Sequence, residues 1–118
     1  MALAKFNIAL TYSAHVIELW NVDGNGEPTP FAANTVLSIA RKDDLSRSIT
    51  VLPATGSNLA EGYLIFNVDL GSVSAKGLLK EPTDSVFDYD VESYDHVYSV
   101  KSPTNTYMYG KVNLLEVA

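Results

Sequence analysis

The sequence contains no cysteine, and this absence excludes several kinds of protein. No disulfide can stabilise the fold, no cysteine-based zinc site can form, and no thiol is available as a nucleophile. The absence also fits folding in a cytosol. Since 47% of the 118 residues are hydrophobic and 19% are charged, we expect a single folded domain spanning residues 1–118 with a real core.

Basic residues are scarce. The chain has 8 Lys and Arg against 14 Asp and Glu, so its formal net charge is −6. A protein that binds DNA or RNA without specificity needs a basic stripe, and a protein that docks on an anionic membrane needs a basic patch. The balance of charge therefore predicts that the protein has no nucleic-acid partner and no membrane partner.

Long apolar runs are also missing, and none reaches the length that spans a bilayer. The opening segment carries Lys5, His15 and Glu18 and lacks a charged region followed by a clean apolar run. It is therefore predicted to be the start of the mature protein and not a signal peptide.

Motifs of catalysis and metal binding are absent from the sequence. Only His15 and His96 are present, neither in a paired spacing or an HExxH motif, and no GxSxG or GxxxxGK[ST] stretch occurs. We expect both histidines to be strand-edge or loop residues. The prediction is a protein that is not an enzyme, with no catalytic, metal or cofactor-binding residues and no cofactor.

The hydrophobic pattern that is present has a period of two, which is typical of strands. It predicts inward-facing residues in five runs, separated by turn signals such as PATGSN and KSPTNT. Those residues are Leu37 and Ile39; Ile49 and Val51; Leu64, Phe66, Val68 and Leu70; Phe87, Tyr89 and Val91; and Met108, Val112 and Leu114. The pattern predicts an all-β antiparallel sandwich of about seven strands.

Two segments are ambiguous. The stretch KFNIALTYSAHVIELW fits one helical face, but the alternation of Ile8 with Leu10 and of Ile17 with Leu19 favours two strands broken near Ser13 and Ala14. The stretch Ser72 to Pro82 is expected to hold at most one helical turn in a crossover between sheets, because Gly77 and Pro82 disfavour a longer helix.

The stretch NVDGNGEPTPF, residues 21–31, resembles part of a calcium loop. Asn21, Asp23, Asn25 and Gly26 occupy positions 1, 3, 5 and 6 of such a loop, but position 12 is Ala32 and not a bidentate Glu. We therefore predict a polar hairpin connection whose glycines supply positive φ angles, and an incidental cation in the Asn21–Gly26 loop stays open.

Acidic and tyrosine residues supply the candidate interface. Asp88, Asp90 and Glu92 alternate along the run FDYDVESYD, a pattern that indicates a solvated strand face protected from edge-to-edge aggregation, or a contact for a cation or a basic partner. Tyrosine favours interfaces because its ring is apolar and its hydroxyl is polar. The candidate interface comprises Tyr94, Tyr98, Tyr107, Tyr109, Asp88, Asp90 and Glu92.

Three stretches together resemble a bacteriophage module. They are IELWNVDGNGEPTPFAANTVLSIAR, VLPATGSNLAEGYLIFNVDL and YMYGKVNLLEV. The chain is similar to the small immunoglobulin-like sandwich of phage baseplate, tail-tip and fibre-attachment proteins, including the N-terminal domain of upper-baseplate proteins. The resemblance implies an immunoglobulin-like fold and a virion structural protein made in the host cytoplasm: a tail or baseplate adaptor, or a capsid-decorating or fibre-attachment component. It also implies docking to other virion proteins, as a homo-oligomer or within a symmetric assembly.

Two other functions stay open. A carbohydrate-binding module would use Trp20 and exposed tyrosines as a sugar platform. A hydrolase would use the acidic face of Asp88, Asp90 and Glu92, since paired carboxylates can catalyse glycoside hydrolysis.

Overall fold

The computed structural model describes residues 4–81 and 95–115, and the described part is mostly β. It contains eight strands, one 3₁₀ turn and one short helix. The elements are β1 Ala4–Lys5, β2 Ile8–Thr11, β3 Ala14–Trp20, β4 Val36–Arg41, β5 Ser48–Val51, the 3₁₀ turn Leu59–Glu61, β6 Tyr63–Asp69, α1 Val73–Leu79, β7 His96–Lys101 and β8 Thr106–Leu115.

The strands form two sheets. The larger sheet has the order β1-β8-β7-β4-β5, with β2 also paired to β8, and the smaller sheet consists of β3 and β6. All pairs among the described strands are antiparallel except those of β1 and β2 with β8, which are parallel. The expectation of a purely antiparallel sandwich is therefore wrong at this edge. β1 and β2 lie far from β8 in the sequence, so no hairpin requires them to pair antiparallel with it.

The core lies between the two sheets and follows the predicted alternation. Leu37 and Ile39 of β4 are buried, and so are Leu64, Phe66, Val68 and Leu70 in and just after β6. Val112 and Leu114 of β8 pack into the same cluster, and Ile49, Val51 and Met108 contact its margin. Burial of this kind stabilises by about 1.5–3 kcal/mol per large side chain.

The stretch from Ile8 to Trp20 forms two strands, β2 and β3, as the alternation indicates, and β1 precedes them. β2 and β3 are separated only by Tyr12 and Ser13, and they belong to different sheets. Ile17 and Leu19 pack against the core, while the intervening residues of β3 point outward. A single helix could not divide these side chains between two sheets.

The helix α1 is longer than the single turn that was expected. It spans seven residues and includes Gly77. The Ser72 side chain accepts a hydrogen bond from the Ala75 amide and caps the N-terminus. The buried side chains of Ala75 and Leu79 attach the helix to the core. This packing offsets the cost of about 1 kcal/mol that a helical glycine carries.

The C-terminal end of α1 collects positively charged and polar donors. The carbonyl of Leu79 accepts hydrogen bonds from Arg41 Nη1 and from His96 Nε2, each at 2.6 Å. Arg47 Nε donates to the carbonyl of Leu78 at 2.9 Å, and Arg47 also pairs with Glu81. The expectation that His96 is a strand-edge or loop residue is wrong, because its side chain is buried at the start of β7 and caps this helix.

The segment 21–31 is a compact turn that crosses between sheets. Asp23 Oδ1 accepts hydrogen bonds from the amides of Asn25 and Glu27, and Gly26 has a φ of 78°. A bridge between Val22 and Pro28 closes a small local hairpin. However, β3 and β4 lie in different sheets, so the segment is not a hairpin connection between neighbouring strands.

The predicted strand Phe87 to Asp95 lies almost wholly outside the described residues.

Within residues 4–81 and 95–115, every helix is too short or too polar to cross a membrane.

Candidate functional site

The structure separates the predicted interface residues. Tyr98 and Tyr107 belong to the core, where the Tyr98 hydroxyl donates to the Phe6 carbonyl at 2.8 Å and the Tyr107 hydroxyl accepts from the Ala32 amide at 2.8 Å. Burial raises the pKa of Tyr98 above its ordinary value. Only 5% of Tyr98 and 6% of Tyr107 is exposed, so little of either side chain is open to a partner, while Tyr109 is 38% exposed. The prediction that these tyrosines contact a partner stays a prediction. Tyr94, Asp88, Asp90 and Glu92 lie outside the described residues.

The candidate site is instead the outer face of the smaller sheet, which we call the β3–β6 patch. It consists of Val16, Glu18 and Trp20 of β3 and Tyr63 and Ile65 of β6. Their side chains share a face because strand residues alternate, and the register places Trp20 beside Tyr63 and Glu18 beside Ile65. Val16 is 68% exposed and Trp20 is 61% exposed. The patch therefore presents large apolar side chains to solvent.

One side of the patch is held in a fixed arrangement. The rings of Trp20 and Tyr63 stack with centroids 4.3 Å apart and an interplanar angle of 27°. The Tyr63 hydroxyl donates to Glu18 Oε1 at 2.9 Å. This hydrogen bond to a carboxylate, together with some desolvation, raises the pKa of Tyr63 above its ordinary value of 10.0. Trp20 is thus oriented before any partner arrives, which lowers the entropy cost of binding.

An apolar cleft of about 200 Å³ opens beside Trp20. It lies between the two sheets and is lined by Phe6, Leu19, Trp20, Phe31, Val100, Tyr107 and Met108. Phe6, which follows β1, is 56% exposed at its rim. A partner side chain that contacts Trp20 could enter the cleft and gain apolar burial there.

The outer edge of β3 carries backbone groups that the described strands do not pair. The Ser13 carbonyl accepts from the Leu70 amide, and the Asn21 amide donates to the Gly62 carbonyl. Because ladder bonds alternate along an antiparallel pair, the odd-numbered residues of β3 bond to β6 and the even-numbered residues from Ala14 to Trp20 point the other way. Such an edge can accept an extended partner segment.

The polar residues near the patch make local contacts. His15 Nε2 donates to the Thr11 carbonyl at 2.9 Å and is thereby engaged locally. No group of three or more potential metal ligands occurs among the described residues. Asn21, the first position of the calcium-like loop, is buried, and its side-chain amide donates to the Pro30 carbonyl. The chemistry available at the patch is apolar contact, aromatic stacking and backbone pairing.

Sequence reasoning named Trp20 only as a sugar platform and missed Val16 and Tyr63. A usable signal was present, because the run AHVIELW alternates and places Val16 and Trp20 on the face opposite to Ile17 and Leu19. Two large apolar residues on the solvent side of a strand are uncommon enough to indicate a contact surface.

A scan with protein-family models finds no match to the chain, and a search among curated proteins finds none either.

Proposed function

We propose that the chain is a non-enzymatic structural protein of a phage virion that acts by docking to other virion proteins. Its role would be that of a tail or baseplate adaptor, or of a capsid-decorating or fibre-attachment component. The observation that carries the docking function is the β3–β6 patch, where Val16 and Trp20 are exposed beside a strand edge that the described strands leave unpaired. The virion assignment rests on the sequence resemblance.

The strand order supports an immunoglobulin-like arrangement for this proposal. In variable-type immunoglobulin sheets a C′ strand extends the sheet formed by G, F and C, while B and E lie in the opposite sheet. The order β8-β7-β4-β5 against β3-β6 has the same chain-order relations. We therefore assign β3, β4, β5, β6, β7 and β8 to the B, C, C′, E, F and G positions.

Co-sedimentation with virus particles tests the proposal. An antibody raised against the purified chain should label particles released from producing cells in immunogold electron microscopy. The purified chain should co-sediment with particles, and Val16→Ser should weaken this binding. Val73→Ser is the matched control, since Val73 is 90% exposed on α1 and is not part of the β3–β6 patch. Unlabelled particles would contradict the virion role, and equal binding by both variants would contradict the patch.

Tryptophan emission gives a direct reading of the same surface. The chain has one Trp, and it lies in the patch, so any occupant should change its emission. Purified virion proteins titrated one at a time should therefore produce a saturable shift for the true partner. Trp20→Phe removes the signal and Val16→Ser should move the midpoint to higher concentration.

A carbohydrate-binding module is the second candidate, and the exposed Trp20 ring favours it, because sugars stack on exposed aromatic faces. One face of the ring is already covered by Tyr63, which leaves the other for a ligand. A glycan array should decide between the two functions. Binding that is lost in Trp20→Ala would support the carbohydrate module, whereas an array without binding would remove it.

A further inference from the structure

The outer face of the larger sheet carries a groove of about 530 Å³ that is separate from the β3–β6 patch. Its floor consists of small side chains on the two central strands, Ser38 and Ala40 of β4 and Val97 and Ser99 of β7. The register places Val97 beside Ala40 and Ser99 beside Ser38, so these four form a shallow surface. Tyr109 and Lys111 of β8 flank it, opposite Ser99 and Val97.

The charge of this groove is opposite to that of the protein. Lys101 and Lys111 line it, and no acidic residue does among the described part of the chain. The chain as a whole has a formal net charge of −6, and Arg41 and Arg47 are engaged at the end of α1. The groove is therefore a local positive region that would attract carboxylates at short range.

The spacing of the two lysines constrains the ligand. Lys111 lies beside Val97, which pairs with Ala40, whereas Lys101 pairs with Val36. Lys101 and Lys111 are therefore offset by the four residue steps from Val36 to Ala40, which is about 13 Å along the strand direction. In an extended chain, residues i and i+4 are separated by the same distance and point to the same face.

We propose that this groove, which we call the lysine groove, binds an extended acidic segment of a partner protein with carboxylates at positions i and i+4. One carboxylate pairs with Lys101 and the other with Lys111, and the small floor allows the backbone of the segment to lie close to the sheet. Nucleic acid is disfavoured, because a long polyanion would extend beyond the groove over an acidic protein. The proposal concerns a different surface from the β3–β6 patch and does not depend on it.

Fluorescence anisotropy with designed peptides tests the proposal. The probe is a fluorescein-labelled nonapeptide with Asp at its third and seventh positions and Thr or Val elsewhere, and the control peptide has Asn at both positions. We expect the Asp peptide to bind and the Asn peptide not to bind, and we expect high salt to weaken the binding of the Asp peptide. Lys101→Gln and Lys111→Gln should each weaken binding by about two- to fivefold, as exposed ion pairs do. Lys42→Gln and Val73→Ser should leave the affinity for the Asp peptide unchanged.

Three results would overturn the proposal. The first is equal affinity of the Asp peptide for the wild type and for Lys101→Gln/Lys111→Gln while circular dichroism shows both to be folded. The second is tighter binding of a labelled oligothymidylate than of the Asp peptide. The third is self-association in light scattering that the same double substitution abolishes, which would make a second copy of this chain the occupant.

Discussion

At the scale of single residues, Arg41 at the end of β4 connects several parts of the fold through its guanidinium. Its Nη1 donates to the Leu79 carbonyl, and its Nε and Nη2 donate to the Asp43 carboxylate at 2.9 and 3.0 Å. The hydrogen bond from Arg41 lowers the pKa of Asp43 below its ordinary value. One side chain thus joins β4, the following turn and the helix.

Replacement of Arg41 should therefore cost stability. We expect Arg41→Met to lower the free energy of unfolding by about 2 kcal/mol, because a buried carbonyl loses a charged donor. Urea denaturation followed by circular dichroism measures the change. Lys42→Met is the matched control and should stay within about 0.5 kcal/mol, since Lys42 is exposed. Equal effects of the two substitutions would show that the helix end does not need Arg41.

Tyr63 provides a pH prediction at the same scale. Its pKa in the folded protein is above 10.0, so the stabilisation from its hydrogen bond to Glu18 is complete below pH 10.0 and is lost as the pH rises through the folded value. A tyrosinate stacked on Trp20 should quench the tryptophan emission. We expect the midpoint of quenching above pH 10.0 in the wild type and a lower midpoint in Glu18→Gln.

The control for this titration is Glu27→Gln, which removes an exposed acid from the turn and leaves Tyr63 untouched. Its midpoint should match that of the wild type. A midpoint that Glu18→Gln does not move would contradict the assigned hydrogen bond.

At the scale of elements, the parallel edge of the larger sheet depends on one glycine. A Cβ on Gly110 would lie 1.8 Å from the Phe6 carbonyl oxygen, which also accepts the Tyr98 hydroxyl. Only a residue without a side chain lets the β1–β2 segment lie so close to β8. The glycine in the YMYGKV stretch therefore allows β1 and β2 to pair with β8.

Gly110→Ala should displace this edge. We expect a loss of about 2 kcal/mol or more in the free energy of unfolding, because backbone atoms of Phe6 must move. Hydrogen exchange should show faster exchange in β1 and β2 while β4 and β7 stay protected. Gly24→Ala is the control, since nothing lies within 4 Å of its added Cβ. Equal exchange in both variants would show that the contact with Phe6 relaxes freely.

Strands could be predicted from the sequence where one face is buried, as in β4 and β6, because alternation records that burial directly. Parallel pairing of β2 with β8 could not, since it depends on which edge is free after the other strands have paired. The burial of His96 and Arg41 was missed for a related reason, because their partner is a carbonyl far away in the chain. Of the β3–β6 patch, the sequence indicated only Trp20 as a contact residue. The stacking of Trp20 on Tyr63 could not be predicted, because it depends on the register of β3 with β6.

At the scale of the whole molecule, two surfaces of different chemistry lie on the outer faces of opposite sheets. The β3–β6 patch is apolar and aromatic and borders an edge that no described strand pairs. The lysine groove has a floor of small side chains and is positively charged. A structural protein within a symmetric assembly needs at least two contacts to connect its neighbours. Under the proposed docking function, each of these two surfaces would bind one neighbour.

Proline substitution in β3 tests whether the edge that the described strands leave unpaired takes part in docking. Proline lacks an amide hydrogen. Along β3 the amide hydrogens point alternately toward β6 and away from it. The Val16 amide points away from β6, so Val16→Pro should keep the fold and lose co-sedimentation with particles. The Ile17 amide points to β6, so Ile17→Pro should cost about 3 kcal/mol or more and abolish the folded circular dichroism signal. Should Val16→Pro bind particles as well as Val16→Ser does, docking would use the side chains of the patch and not its backbone edge.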